Sequence, residues 1–137
     1  MMPPPLPAIT AFYAALACLL LLLLAIPVSR LRIKERVGIG DGAHPELARA
    51  IRVHANAVEW VLPVLVLLLI AELNRAPALL LHACGIALLV GRLLHAYGLR
   101  RSTGRSPGRF AGIGLTWATL LVLAVWNLWA FARLALR

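Results

Sequence analysis

Arg49, Arg52, Asn56, Glu59 and Pro63 recur at intervals of three and four residues. On a helix turning about 100° per residue, such intervals gather side chains into one stripe. A stripe of two guanidinium groups, an amide and a carboxylate suits a small zwitterion with excess negative charge. Arginine grips carboxylates through paired N–H bonds, and a carboxylate such as Glu59 can hold an ammonium. Asn56 can donate or accept. A thiol brought against one of these cations would shift toward thiolate, its nucleophilic form. The bland alternative is that Arg52 and Glu59, on one helix face, belong to a structural ion-pair network between helices.

The run directly after the stripe decides its setting. Residues 61–70 read Val-Leu-Pro-Val-Leu-Val-Leu-Leu-Leu-Ile, as apolar as lipid tails. An ionisable group near bilayer depth costs about 2.5–3.5 kcal/mol on insertion scales, so it faces a bundle interior and marks a functional site. Of the 137 residues, 62% are hydrophobic, well above the ~45–50% of a soluble domain. The chain is therefore expected to be an all-α integral membrane protein, with one domain over residues 1–137. Its charge of +9 comes from 14 Lys and Arg against 5 Asp and Glu. In a soluble chain that excess would suggest nucleic acid. Here the arginines gather in two loops, so no nucleic-acid partner is expected, and anionic lipid headgroups or a small anion fit better. Cys18 and Cys84 lie in apolar runs without metal-ligand spacing and read as core or lipid-facing residues. His95 has no His, Cys or carboxylate at i+4, so no metal site is expected.

Four spans are expected, at about residues 8–28, 47–72, 77–99 and 110–132, each long enough to cross a hydrocarbon core of about 30 Å. Residues 1–7 are rich in proline and delay the first helix. A signal peptide is the rival for the first apolar run. It would need a basic n-region, a shorter apolar segment and a small-x-small cleavage site, so a retained span is expected. Residues 29–48 read as a long loop broken by Gly38, Gly40, Gly42 and Pro45. These glycines lack the preceding strand and the spacing of a phosphate cradle. The second span begins near Pro45, which suits a first helical turn. A short turn at 74–77 leads to a third span with small positions at Gly85 and Gly91. His82 in that span reads as a core or snorkelling residue. Near its far end Arg92 and His95 stand three apart, on one face. A basic loop, residues 100–109, precedes the fourth span. Trp126, Trp129 and Arg133 read as an interfacial anchor, and Asn127 as an interhelical hydrogen-bonding group.

Arg30, Arg32, Lys34, Arg36, Arg49 and Arg52 follow span one, and Arg100, Arg101, Arg105 and Arg109 follow span three. Only Arg75 follows span two. The positive-inside bias puts both basic segments in the cytoplasm and both termini on the non-cytoplasmic side. Arg52, Asn56, Glu59, Arg92, His95 and Arg109 then reach the same membrane face, where a single pocket becomes possible. Glutathione, with two carboxylates, an ammonium and a thiol, fits that set; another amino-acid-like anion would satisfy it too.

Arg52-x-His54-x-Asn56-x-x-Glu59-x-x-x-Pro63, followed by Arg92-x-x-His95 and a basic loop ending in Arg109, resembles the MAPEG family. These are the membrane-associated proteins of eicosanoid and glutathione metabolism, including microsomal glutathione transferases. The resemblance covers nearly the whole chain and implies a left-handed four-helix bundle that assembles as a homotrimer in a membrane, here a bacterial inner membrane. It implies that glutathione, as co-substrate, binds between subunits near the cytoplasmic face, held by Arg52, Asn56 and Glu59, with Arg92 and His95 lining the pocket. Arg109 matches the arginine that stabilises the thiolate, with Arg105 as the alternative, and a lipophilic second substrate would enter from the lipid. Characterised members often carry a tyrosine one turn after the His95 position; here that residue is Leu99, with Tyr97 two residues earlier. The implied activity is a glutathione transferase or peroxidase. Rivals are a non-catalytic lipid- or glutathione-binding scaffold and a small multidrug-type transporter using Glu59 as a proton site. The arginines around Glu59 argue against the transporter.

Overall fold

The computed structural model describes residues 6–101 and 104–136. Residues 1–5 of the proline-rich start, and Ser102 and Thr103 of the basic loop, lie outside the described residues. Four helices form, α1 (Ala8–Glu35), α2 (Pro45–Leu73), α3 (Ala78–Arg101) and α4 (Pro107–Ala135), with no strand among the described residues. All four are long and apolar enough to cross a membrane.

The helix ends differ from expectation in two places that matter. Residues 29–35, expected as loop, continue α1, because a charged composition does not break a helix and no glycine or proline occurs there. The break comes at Arg36, which takes a left-handed φ of 57° and donates its N–H to the Arg32 carbonyl. Arg32 then gathers the short loop: its Nη1 donates to the carbonyls of Val37, Gly38 and Gly40 at 3.0–3.3 Å. At the other boundary α4 starts at Pro107, not Phe110. Ser106 is its N-cap, with Oγ accepting the Arg109 N–H at 3.3 Å, and Pro107 fills the first turn, where a missing N–H costs nothing. Arg109 therefore belongs to the first turn of α4 and not to a loop.

Packing is uneven around the bundle. α2 and α3 touch each other, and α2 touches both flanking helices; α1 and α4 lie on opposite sides of this pair, with no direct packing between them. The α1 face is a narrow stripe of Thr10, Tyr13, Ala17 and Leu24, and Leu19, Leu22 and Leu23 point outward, as befits a helix surrounded by lipid. Its N-terminus is completed from elsewhere. Pro7 caps nothing, and the Glu72 carboxylate at the end of α2 accepts the N–H groups of Ile9 (2.9 Å) and Thr10 (2.6 Å). These are donors that a helix cannot satisfy within itself. Nearby the Tyr13 hydroxyl meets His82 Nδ1 at 3.1 Å, so His82 holds α1 to α3 there. The Tyr13 ring lies over Gly85, leaving no room for a side chain.

α3 and α4 approach most closely. A Cβ on Gly91 would meet Thr116 Oγ1 at 2.9 Å and the Gly112 carbonyl at 3.0 Å, and one on Gly112 would meet the Gly91 carbonyl and His95 N at 2.5 Å. Gly98 likewise lies against the backbone of Arg109. Small residues let two backbones come near enough for polar groups to bond across them. Asn127 ties α4 to α2, its Nδ2 donating to the Leu67 carbonyl at 3.0 Å, as the sequence leads one to expect. Cys84 is buried and Cys18 exposed; both are free thiols.

Replacing Glu72 with Ala strands the Ile9 and Thr10 donors. The variant is expected to lose about 1–3 kcal/mol of stability, read as a lower thermal unfolding midpoint in detergent; an unchanged midpoint would mean the cap contributes nothing.

Candidate functional site

An open cleft of about 1270 Å³ lies where the N-terminal half of α2 faces the start of α4. Arg52, Asn56 and Glu59 come to it from α2, His95 from α3, and Arg105 and Arg109 from the approach to α4 and its first turn. The residues that sequence spacing groups on α2 therefore share one cleft with the basic segment following α3, which forms the facing wall. Trp60, Phe110, Ile113 and Trp117 continue the wall as an apolar flank, with the two indoles 6.0 Å apart.

Arg92 is placed behind this wall and not on it. It is 1% exposed. Its Nε and Nη2 donate to Thr116 Oγ1 (3.0 and 2.6 Å), Nη2 also to the Gly112 carbonyl (3.3 Å), and Nη1 to Asn56 Oδ1 (3.1 Å). The expectation that Arg92 lines the pocket is thus corrected: facing inward from α3, it reaches α2 and α4 before it reaches solvent. Every acceptor is neutral, so the positive charge stays uncompensated by any carboxylate in this knot. Charge-assisted hydrogen bonds offset its desolvation. Thr116 completes the chain by donating to the Gly112 carbonyl at 2.9 Å.

Asn56 inherits a direction from this contact. Arginine only donates, so the amide must turn its oxygen toward Arg92, which leaves the Nδ2 donors as what Asn56 offers the cleft. The sequence leaves Asn56 free to act in either sense; its neighbour decides. Arg52 and Glu59 face each other at 3.2 Å, Nη1 to Oε1, with both side chains well exposed. An exposed pair of this kind opens easily, since it contributes only about 0–1 kcal/mol. Four residues beyond Glu59, Pro63 lies inside α2. It has no N–H, so the Glu59 carbonyl has no helical donor at i+4. Arg49, the first member of the stripe, is drawn away from the cleft: its Nη1 donates to the Arg100 carbonyl at 3.2 Å, a cation at the C-terminal end of α3.

At the opposite wall two features favour an anion together. The N-terminus of α4 opens beside Ser106 and Pro107, which line the cleft, and a helix N-terminus carries partial positive charge. Arg109 rises from that same turn, its Nη1 held by the Gly104 carbonyl at 2.6 Å, and Arg105 stands beside it, exposed. Leu99 is buried against Val53 and Ala57. Tyr97 turns outward beneath the Arg101 guanidinium, 4.5 Å from its ring, and does not line the cleft.

Thr116 and Gly112 are functional neighbours that spacing arguments on α2 and α3 pass over. The signal was present: Gly108, Gly112 and Thr116 repeat a small residue every fourth position, the pattern by which membrane helices approach one another.

A family model described as the MAPEG family matches residues 10–129. The chain is 45% identical over 121 residues to the protein named inner membrane protein YecN from two strains of Escherichia coli, an alignment covering 88% of this chain and 91% of the relative.

Arg92→Lys keeps the charge but cannot bridge Asn56, Thr116 and Gly112 at once, and is expected to cost about 1.5–3 kcal/mol. Arg52→Gln should stay within about 1 kcal/mol of wild type. Thermal unfolding of both variants in the same detergent reads the difference, and equal losses would mean that the buried knot is not what holds α2, α3 and α4 together.

Proposed function

Because the chain belongs to the MAPEG family, we propose that it binds glutathione in the cleft between α2 and α4 and joins its sulfur to lipophilic electrophiles. The observation that carries this reading is the meeting of Arg52, Asn56, Glu59, His95, Arg105 and Arg109 on one cleft with an apolar flank. The carboxylates of glutathione fit Arg52 and the Asn56 donors. Glu59, released from Arg52, takes the ammonium. The sulfur then points toward the start of α4, where Arg109, with Arg105 beside it, and the helix N-terminus favour the thiolate. Arg92 serves indirectly, as the residue that orients Asn56.

The chemistry is a nucleophilic displacement or addition. The thiol proton leaves to solvent, the thiolate electron pair forms a bond to the electrophilic carbon, and a leaving group such as halide departs with its own pair. With a lipid hydroperoxide the same thiolate attacks the terminal oxygen, the O–O bond breaks and the alkoxide leaves as the alcohol after taking a proton; a second glutathione then displaces water from the resulting sulfenic acid to give glutathione disulfide. Trp60, Phe110 and Trp117 supply a surface for the lipophilic partner, reached from the hydrocarbon layer. The wider setting belongs to the same proposal: a left-handed bundle, three copies per assembly, in a bacterial inner membrane, with the cleft facing the cytoplasm and both termini outside. The relative's name as an inner membrane protein and the two basic segments support it.

One observation favours the binding-only reading: the Arg109 guanidinium already donates to the Gly104 carbonyl, so part of its fork is engaged. Activity measurements separate the two. Wild type is expected to bind glutathione, to raise thiolate absorbance on binding and to conjugate a reactive aryl halide. Arg109→Gln should lower kcat about 10²–10³-fold with little change in glutathione affinity, as for loss of one oxyanion donor. Glu59→Gln should instead weaken glutathione binding. Binding without thiolate absorbance or conjugation in wild type would leave a scaffold, and no binding at all would sink the proposal.

A further inference from the structure

A second hollow, of about 450 Å³, lies at the other end of the bundle, where the turn between α2 and α3 meets the last turns of α4. Its walls include Leu73, Arg75, Trp126, Trp129, Arg133 and Leu134. We infer that this hollow takes the phosphate headgroup of an anionic phospholipid, held by Arg75 and Arg133, with the lipid chain against the neighbouring apolar side chains.

Three observations carry the inference. Neither arginine takes part in an ion pair among the described residues, although both line the same concave surface, so two cations converge with no protein anion between them. Arg133 is also positioned: its guanidinium lies over the Trp129 ring at 4.9 Å, and Trp129 lies against Trp126 at 4.7 Å. Stacking occupies the face of a guanidinium and leaves its N–H edges able to grip phosphate. Arg75 sits in a left-handed conformation, φ 59°. Its N–H bonds the Glu72 carbonyl and the Ala76 N–H bonds that of Ala71, both at 2.9 Å. This double closure of a helix end ordinarily places glycine where Arg75 stands. An L side chain is strained there, and strain retained at such a point directs attention to what the side chain does.

The apolar companions decide between sources of phosphate. Leu73, Leu134 and the apolar faces of two indoles find no partner in a free inorganic ion, whereas the end of a span is where a lipid presents a charged head and an apolar body together. The site shares no lining residue with the glutathione cleft, so the inference stands apart from the proposed reaction.

The test is native mass spectrometry of the purified protein from neutral detergent, titrated with phosphatidylglycerol, with phosphatidylcholine, and with phosphatidylglycerol plus inorganic phosphate. Phosphatidylglycerol should bind at least about tenfold more tightly than phosphatidylcholine. Arg75→Gln and Arg133→Gln should each weaken it about fivefold, and the double variant should bind both lipids alike. The assembly mass and glutathione affinity should stay as in wild type. Equal phosphatidylglycerol affinity in wild type and double variant overturns the site. Displacement by millimolar phosphate makes it a free-anion site, and a changed subunit count makes it a contact between copies; either result overturns the lipid assignment.

Discussion

A buried guanidinium without a carboxylate partner is the constraint on which this bundle turns. Along α3, Arg92 stands between Leu88 of one apolar cluster, which includes Leu68, Leu81 and Leu123, and Ala96 of the other, which includes Leu24, Val53, Ala57 and Leu99. Between them a cation must be solvated by the protein itself. It is, by one amide, one hydroxyl and one main-chain carbonyl drawn from two other helices. The two acceptors on α4, Thr116 and Gly112, come within reach because Gly91 and Gly112 allow α3 and α4 to pack backbone to backbone. Close packing and charge solvation thus depend on each other: adding a methyl group at either glycine would push away the groups that make burying the charge tolerable.

That knot also explains why the cleft can be polar on one side and apolar on the other. Asn56 belongs to both regions, its oxygen committed inward and its nitrogen left for the cleft. Arg52 and Glu59 pair with each other with both side chains well exposed, so they can exchange partners at little cost. A rigid residue beside two adaptable ones suits the reception of a zwitterion, because the fixed donor sets the register while the loose pair separates to take opposite charges.

Much of this is legible in the sequence, and the limits have identifiable causes. The α2 stripe follows from helical periodicity, and the apolar runs on either side give the spans. Periodicity states which residues share a face, but not which neighbour that face meets. Arg92 and His95 share a face of α3, yet one side chain is consumed by α4 while the other lines the cleft. Composition misplaces two boundaries for a related reason. Residues 29–35 are charged and so look like loop, though nothing in them interrupts a helix; Pro107 looks like a loop residue, though it suits a first turn. Glu72 reads only as the end of a span, since its role depends on a helix more than sixty positions earlier.

That long-range cap bears on how the chain is built into its membrane. Leaving the ribosome ahead of α2, the helix α1 has two amide protons whose acceptor has not yet been synthesised. They must be met by water or lipid headgroups until the following hairpin delivers its carboxylate to the same surface. The opening turn of α1 is therefore among the last parts of that hairpin to be completed, and its order reports that the second crossing has succeeded.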